Sequence, residues 1–381
     1  MSKILFIIIV VSFLDTFIQL PIITPYALEL GASHLLAGSI VAVYSLSNMV
    51  GNIFGGHWID RYGRKRMLFT GMFFVAIILL FYPFAQTGWQ LFIIRFLHGL
   101  AGGVLIPAAF AHVGDRSKSN TRGRSMAFTG AGIGIAAIAG PAIGGAMAAR
   151  AQVEYVFILV AVLFFISAFL IHKFIEESFI STEKGKFSFA EFMPLLKHPL
   201  VLQASLAAFA LMISNGTLAF ALPLKVDEMG LTSSTTGMML STYGIVALLI
   251  FLTPLNRIFD RVSSVKLVVA GIMFIGSVHI LLNIVSIYWL SMLLMVIYGI
   301  GFAFVFPSMN RIVAEASSKL DRGKAYGIFY AFFSLGSVSG SFVSGATAET
   351  LGLPFLSSAI TMVTIGFILW FIAKRYAAKQ T

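Results

Sequence analysis

The sequence predicts an all-α membrane protein: twelve transmembrane helices in two six-helix bundles with pseudo-two-fold symmetry. Three observations predict it: a composition too apolar for water, twelve apolar runs of spanning length, and a duplication of the chain about its middle. Of 381 residues, 59% are hydrophobic and only 11% charged, and the mean hydropathy is +0.95. Soluble domains carry about 25% charged residues, so this chain lacks the charge to cover a surface in water. Twelve spans of about 20 residues take about 240 positions and leave about 140 for short loops, with no room for a separate soluble domain.

The apolar runs lie near 4–29, 36–57, 67–86, 89–113, 124–148 and 155–175, then 199–224, 234–256, 265–285, 288–312, 323–348 and 354–373. Lys3 and the apolar stretch after it also suit a signal peptide. The run nevertheless continues past Asp15 to Pro25 without a small-residue cleavage pattern. The formal charge is +11, but the basic residues sit in loops between apolar runs rather than along a groove, which excludes a nucleic-acid partner. The absence of cysteine and of any HExxH pattern among seven histidines removes thiol catalysis, disulfides and the usual zinc sites. No cofactor or metal is expected. No nucleophile–base constellation recommends an enzyme.

Orientation follows from the loop charges. Arg61, Arg64, Lys65 and Arg66 follow the second run, Arg116, Lys118, Arg122 and Arg124 the fourth, and Lys173, Lys184, Lys186 and Lys197 the sixth. Arg257, Arg261 and Lys266, then Lys319, Arg322 and Lys324, then Lys374, Arg375 and Lys379 repeat the pattern in the second half; the opposite loops hold little beyond Arg150 and Lys225. Positive loops stay inside, so both termini are expected in the cytoplasm and the protein in the plasma membrane. The polar segment 176–198 divides the chain into an N-terminal bundle, 1–175, and a C-terminal bundle, 199–381. Phe187, Phe189, Phe192 and Leu195 recur there at roughly helical spacing, as in a tether with a few buried anchors or a stretch lying along the interface.

A shift of 200 residues superposes the punctuation of the two halves. Asp60-Arg61 falls on Asp260-Arg261, Gly99 on Gly299, Pro107 on Pro307, Asp115 on Glu315, Arg122-Gly123-Arg124 on Arg322-Gly323-Lys324, and Gly145 on Gly345. Two parallel repeats are the layout in which bundles rock about a site near the bilayer midplane, so the duplication implies alternating access rather than a static pore.

Individual residues sharpen this. Asp15 lies about eleven residues into the first run, at a depth where ionisable groups are rare and functional; it is a proton-exchange candidate, a hydrogen-bonded structural acid, or an ion-pair partner of Arg95. Arg95, in Arg95-Phe96-Leu97-His98-Gly99, faces either the bundle interior and an acceptor or snorkels to an end. The stretch Gly130-Ala131-Gly132-Ile133-Gly134 and then Gly140-Pro141-Ala142-Ile143-Gly144-Gly145 suits close helix packing, with a bend where Pro141 lacks its donor. Polar and aromatic residues on runs 1, 2, 4, 7, 8 and 10 are cavity candidates: Thr16, Gln19, Tyr44, Asn48, His98, Asn215, Thr217, Tyr243, Tyr298 and Asn310. The 37 phenylalanines and 16 methionines suit an adaptable apolar cavity, though most such residues face lipid or pack helices.

These motifs carry a resemblance. Gly56-x-x-x-Asp60-Arg61-x-Gly63-Arg64-Lys65, after the second run, resembles the loop signature of the major facilitator superfamily. That resemblance implies that Asp60 and the basic residues latch against a helix N-terminus of the other half, with Gly56 and Gly63 permitting close approach and the turn. Arg95 with its small neighbours resembles the family's span-4 motif associated with proton coupling. Gly140-Pro141-x-x-Gly144-Gly145 resembles the antiporter motif of its drug:proton exporters, and Leu14-Asp15-Thr16 their span-1 acid. The second half lacks a matching acid: Asn215 stands at the offset, and Asn310-Arg311 replaces any carboxylate in the tenth run. The resemblance implies a monomeric bacterial-type exporter of a small amphipathic or lipophilic compound, driven by proton influx. The alternative is a flippase or dedicated exporter of an amphipathic lipid, siderophore or sugar conjugate.

Overall fold

The computed structural model describes residues 3–116, 122–178, 193–316 and 322–377. Several residues read from the sequence lie outside the described residues or side chains: Gly56, Asp60, Arg61 and Gly130 of the motifs, Phe187, Phe189 and Phe192 of the linker, and Lys3, Arg116, Lys118, Arg122, Arg124, Lys184, Lys186, Lys319, Arg322, Lys324, Lys374, Arg375 and Lys379 among the basic residues. The described residues form helices and contain no strand.

In the first half the helices are α1 (Lys3–Ile18), α2 (Ile23–Glu29), α3 (His34–Tyr62), α4 (Arg64–Leu79), α5 (Gly88–Gly102), α6 (Leu105–Arg116), α7 (Arg122–Ala148) and α8 (Glu154–Phe174). The linker contributes a single turn, α9 (Met193–Leu196). There follow α10 (Pro199–Glu228), α11 (Ser233–Leu252), α12 (Ile258–Arg261), α13 (Ser264–Ile284), α14 (Tyr288–Ala316), α15 (Arg322–Leu351) and α16 (Leu356–Ala377). Among the described residues nine helical stretches are long and apolar enough to cross a membrane. The bent pair α1–α2 and the shorter apolar stretches Gly132–Ala148 and Leu356–Ile372 stand at the remaining apolar runs.

Two runs are broken, each for a local reason. The first bends by 47° between α1 and α2, at Gln19-Leu20-Pro21-Ile22, because the residue before a proline is driven out of the helical region. Leu20 and Ile22 N–H groups there bond back to the Phe17 and Gln19 carbonyls, so the break leaves them paired. The fourth run breaks between α5 and α6 at Gly102-Gly103, with Pro107 in the first turn of α6, where its missing donor costs nothing. Its counterpart α14 has Phe302-Ala303 at that place and runs unbroken through Pro307.

The chain divides into two compact units, one comprising Met1–Gly185 with Leu231–Ser241, the other Lys186–Gly230 with Thr242–Thr381. In the first, α1 packs on α7, α3 on α5 and α4 on α8; in the second, α10 packs on α15 and α13 on both α14 and α16. The α1–α7 and α10–α15 pairs are the same contact made twice. Both are close because glycine removes the side chain between backbones: a methyl on Gly140 or Gly144 of α7 would collide with Phe17 and Ile18 of α1, and one on Gly336 or Gly340 of α15 with Phe209 and Ile213 of α10. This is small-residue packing as membrane helices use it, where dispersion between backbones replaces a hydrophobic drive. Polarity is distributed accordingly: Phe74, Phe81, Ile166, Phe367 and Trp370 face outward, while Asp15, Gln19, Arg95, His98 and His279 are buried.

Replacing Gly144 or Gly340 with leucine is expected to destabilise the purified protein by about 1–3 kcal/mol, the cost of overpacking a tight contact. A detergent thermal melt that leaves both variants at the wild-type midpoint would contradict the close approach of these backbones.

Candidate functional site

The site is built from α1 upward. Asp15 and Gln19 lie one turn apart on the same face of α1 and its frayed end. Gln19 Nε2 donates to Asp15 Oδ1 at 2.6 Å, and Arg95 Nη1 donates to Gln19 Oε1 at 2.5 Å. Because a guanidinium has donors only, it fixes the amide orientation: the Gln19 carbonyl faces Arg95, and the NH₂ faces the carboxylate. Arg95 comes from α5, where Leu91, Arg95, His98, Gly99 and Gly102 form one buried face at spacings of three and four. Its guanidinium also sits 4.3 Å above the Tyr44 ring of α3, a cation–π contact in a desolvated place.

The other carboxylate oxygen turns to histidine. Asp15 Oδ2 lies 3.0 Å from His98 Nε2, and His98 Nδ1 lies 2.9 Å from the Tyr82 hydroxyl. Asp15 is 2% exposed and His98 and Tyr82 are 0% exposed, so neither the acid nor the imidazole faces lipid. Gly99 makes room for this: a side chain there would strike the Tyr44 carbonyl and Ser47 of α3. Tyr44 then meets the His98 ring edge-on at 5.1 Å, and its hydroxyl lies 3.4 Å from Thr16 Oγ1. Tyr82 follows α4 in a short 3₁₀ turn, stacks on Phe157 at 4.1 Å, and accepts a 2.7 Å hydrogen bond at its carbonyl from the Tyr26 hydroxyl. Arg95 therefore meets the expectation of an interior arginine with an acceptor. It reaches Asp15 through Gln19 rather than by direct pairing, and the ring nitrogen against the acid belongs to His98.

The second unit holds the same constellation in other residues. Ser214 Oγ donates to the Tyr298 hydroxyl at 2.8 Å and lies 3.3 Å from His279 Nε2; His279 Nδ1 lies 2.8 Å from Ser358 Oγ. Tyr243 meets the Tyr298 ring edge-on at 5.1 Å, and Phe355 packs on His279. Ser214, Tyr298, His279, Tyr243 and Phe355 each fall within three positions of the 200-residue offset from Asp15, His98, Tyr82, Tyr44 and Phe157. The duplication thus extends to the buried polar core, with carboxylate replaced by hydroxyl and the histidine and tyrosine exchanged.

Other sequence candidates take different places. Asn48 is half-buried and accepts from Asn52 at 3.0 Å. Asn215 is half-buried beside Tyr243 and Tyr298. Thr217 donates to the Gly340 carbonyl within the α10–α15 contact, and Asn310 to Phe306 one turn back on α14. In the glycine-rich motif of α7, Gly134 is half-buried, Gly140 and Gly144 face α1, and Gly145 and Pro141 face Ser233 and Gly237 at the start of α11. Ser241 donates to the Ile138 carbonyl in the same seam at 2.7 Å.

The turn after α3 opens the N-terminus of α4 to a carboxylate from elsewhere in the same unit. Gly63 turns the chain at φ +97°, a conformation glycine adopts freely, and Glu177, just beyond α8, accepts from the Arg64 N–H at 2.7 Å and the Lys65 N–H at 3.1 Å. Arg64 Nε donates to Asp115 Oδ2 at 3.0 Å, and Lys65 Nζ to the His172 carbonyl at 3.0 Å. The helix dipole and the open N–H groups of α4 are thus met by Glu177. Tyr82, Glu177, Ser214 and His279 were not singled out in the sequence, and Asp115 was marked there only as part of the repeat. A carboxylate just after the last turn of α8, on a side otherwise rich in lysine and arginine, is the signal that points to Glu177.

A family profile described as Major Facilitator Superfamily matches residues 5–224 and again residues 204–381. The chain belongs to the Major Facilitator Superfamily. It is therefore a membrane transporter rather than an enzyme, in a superfamily whose members bind small-molecule substrates. Its relatives include proteins named Multidrug resistance protein MdtG from Salmonella paratyphi C and Salmonella newport, each 27% identical over 362 residues, covering 92% of this chain and 88% of the relative. Among solved structures, a bacterial homologue of the human lysosomal transporter Spinster, inward-facing and occupied, superposes with TM-score 0.81 at 13% identity, covering 98% of this chain and 96% of that one. A POT family transporter in complex with a thioalcohol-conjugated peptide gives 0.81 at 16%, with 98% and 96% covered. The human organic anion transporter MFSD10 (TETRAN) gives 0.70 at 16%, with 96% and 98% covered.

Replacing Gln19 with leucine removes the bridge and leaves a buried guanidinium and a buried carboxylate each short of a partner. A loss of about 1–3 kcal/mol per unsatisfied group is expected, read as a lowered melting midpoint. A melt unchanged from wild type would show that the bridge is not formed.

Proposed function

We propose that this transporter exports small lipophilic or amphipathic compounds in exchange for protons, as a drug:proton antiporter in the plasma membrane. One observation carries the proposal: Asp15 is the carboxylate placed deepest along the apolar runs, it is buried against His98, and the matching constellation of the second unit contains hydroxyl groups instead. A buried acid–imidazole pair has two charge states that differ by one proton, and switching between them changes what the surrounding helices must solvate. The similarity to the MdtG multidrug resistance proteins supports export over uptake. The cycle runs by alternating access. The pair takes a proton from outside, substrate leaves, and the proton is given up to the cytoplasm before the next substrate binds. Arg95 and Gln19 hold the pair in register, and the Gly140–Gly145 seam packs α1 and α7. The Gly63–Lys65 turn, with Asp60, Arg61 and Gly56, acts as the conformational latch on the cytoplasmic side.

In proteoliposomes an imposed pH gradient is expected to drive accumulation of lipophilic cations such as ethidium or tetraphenylphosphonium, and Asp15→Asn is expected to abolish it, by at least about a hundredfold if the acid supplies the coupling. Absence of gradient-driven transport in the wild-type protein overturns the antiport reading, and transport surviving in Asp15→Asn takes Asp15 out of the coupling. Scrambling of labelled lipid without cation transport supports the flippase reading instead.

The absence of native cysteine makes orientation directly testable. A cysteine introduced at Arg66 is expected to react with an impermeant maleimide only from the cytoplasmic face, and one at Gln152 only from outside. The reverse pattern would place both termini outside.

A further inference from the structure

The donor–acceptor order of the buried chain restricts where an added proton can be held. At one end Arg95 has donors only, so Gln19 Oε1 must accept and Gln19 Nε2 must donate to Asp15 Oδ1. Asp15 Oδ1 is thereby occupied as an acceptor and is not a place for a proton while that bridge stands. Beyond His98 is the Tyr82 hydroxyl, which can both donate and accept and whose oxygen is also within hydrogen-bonding reach of the Arg95 guanidinium. Between them, His98 offers Nε2 to Asp15 Oδ2 and Nδ1 to Tyr82.

We infer that His98 carries the transported proton, on Nδ1, with Asp15 as its fixed counter-charge and the Tyr82 hydroxyl as the switch that turns from donor to acceptor when the proton arrives. The inference rests on the antiport reading and names the group within it.

In the empty form Tyr82 donates to Nδ1, and the Nε2–H donates to the Asp15 carboxylate. Loading takes one proton from a hydronium ion to Nδ1, releasing water. Tyr82 keeps its own proton and rotates so that its oxygen accepts from the new N–H. The Nε2–H stays on Asp15 Oδ2, giving an imidazolium–carboxylate pair, and no electron changes hands. Unloading is the reverse. The groups that face His98 are Asp15 from α1, Tyr44 from α3, Tyr82 after α4, and Arg95 one turn back on its own helix α5. Tyr26 of α2 touches Tyr82 at its carbonyl, and on its other side lines a cavity of about 270 Å³ with Ile22, Glu29, Gln152 and Glu154. Tyr82 is thus one hydrogen bond away from Tyr26, which lines an open space that also holds Glu29 and Glu154.

The second unit is consistent with this reading. There the residue at the His98 position is Tyr298, and His279 stands where Tyr82 does, with both ring nitrogens on serine hydroxyls and no carboxylate to offset an imidazolium. That copy has the rotors but lacks the counter-charge.

The test uses full-length protein in nanodiscs with ¹⁵N-histidine, the His98 signal being assigned by its loss in His98→Gln. On acidification the His98 ring is expected to pass from one protonated nitrogen to two, while the Asp15 carboxyl, followed by ¹³C, stays ionised. Tyr82→Phe removes both the donor to Nδ1 in the empty form and the acceptor in the loaded form, and is expected to shift the midpoint pH at which the second His98 nitrogen becomes protonated. A purely structural Tyr82 would leave that midpoint unmoved. A protonating Asp15 carboxyl with a pH-invariant His98 overturns the assignment and leaves antiport standing. Absence of gradient-driven transport in the wild-type protein, with the second His98 nitrogen still protonating, removes antiport and leaves the assignment of the proton to His98 standing. Melting curves of each variant separate loss of fold from loss of the switch.

Discussion

A guanidinium cannot accept a hydrogen bond, and much of the first unit's interior is ordered by that restriction. Arg95 in a desolvated place must find acceptors, and Gln19 and the face of Tyr44 supply them. Once Gln19 is turned to meet it, Asp15 receives an amide donor on one oxygen and presents the other to His98. Four helical segments contribute to this arrangement: α1, α3, the turn after α4, and α5. A burial that would cost several kcal/mol for any one of these groups alone is largely offset because each bonds to the next, although Arg95 Nε finds no hydrogen-bond partner among the described residues. The helix break after Gln19 belongs to the same arrangement, since Pro21 interrupts α1 just past the residue that bridges acid and base.

Duplication made two such interiors, and they diverged in charge while keeping their shape. Tyr44 and Tyr243 meet their partners edge-on at the same 5.1 Å separation, Phe157 and Phe355 pack behind, and the polar trio is hydrogen-bonded in both. What changed is ionisability: Asp15 against Ser214, His98 against Tyr298, Arg95 against Met295. Met295 is fully buried, so in the second unit an apolar side chain fills the place of the cation. With neither cation nor anion, that core needs no counter-charge. One charged and one neutral core is the economical division for a membrane protein, because each buried ion pair carries a desolvation cost that packing alone does not recover.

The sequence made the fold legible because lipid imposes a strict code: spans must be long, apolar and helical, and charge collects at their ends. Asp15 and Arg95 stood out for the same reason, being ions at the wrong depth. What stayed hidden was pairing between helices. His98 and Gln19 read as cavity residues, since nothing in a linear pattern reveals that His98 meets an acid 83 positions away while Gln19 bridges that acid to Arg95. Tyr82 looked like the end of an apolar run, and Thr217 like a lining residue until its hydroxyl was found on the Gly340 carbonyl. The latch shows the limit in another form. The motif draws attention to Asp60, whereas the carboxylate that meets the N–H groups at the start of α4, Glu177, comes from 112 positions beyond Lys65.

The position of the acid relative to the glycine seam connects chemistry to movement. Asp15 precedes Phe17 and Ile18, the α1 residues against which Gly140 and Gly144 of α7 are pressed. A contact between a helix backbone and a row of glycines has few interlocking side chains, so it resists separation through dispersion while offering little resistance to sliding. In the antiport reading, adding a proton to the Asp15–His98 pair changes the charge facing α1 within one turn of that seam. The same stretch of α7 is seated on Ser233 and Gly237 of α11 through Gly145 and Pro141. A change in what α1 must solvate is therefore passed to the next helix by backbone contact, over a path of two close approaches rather than through a chain of side-chain rearrangements.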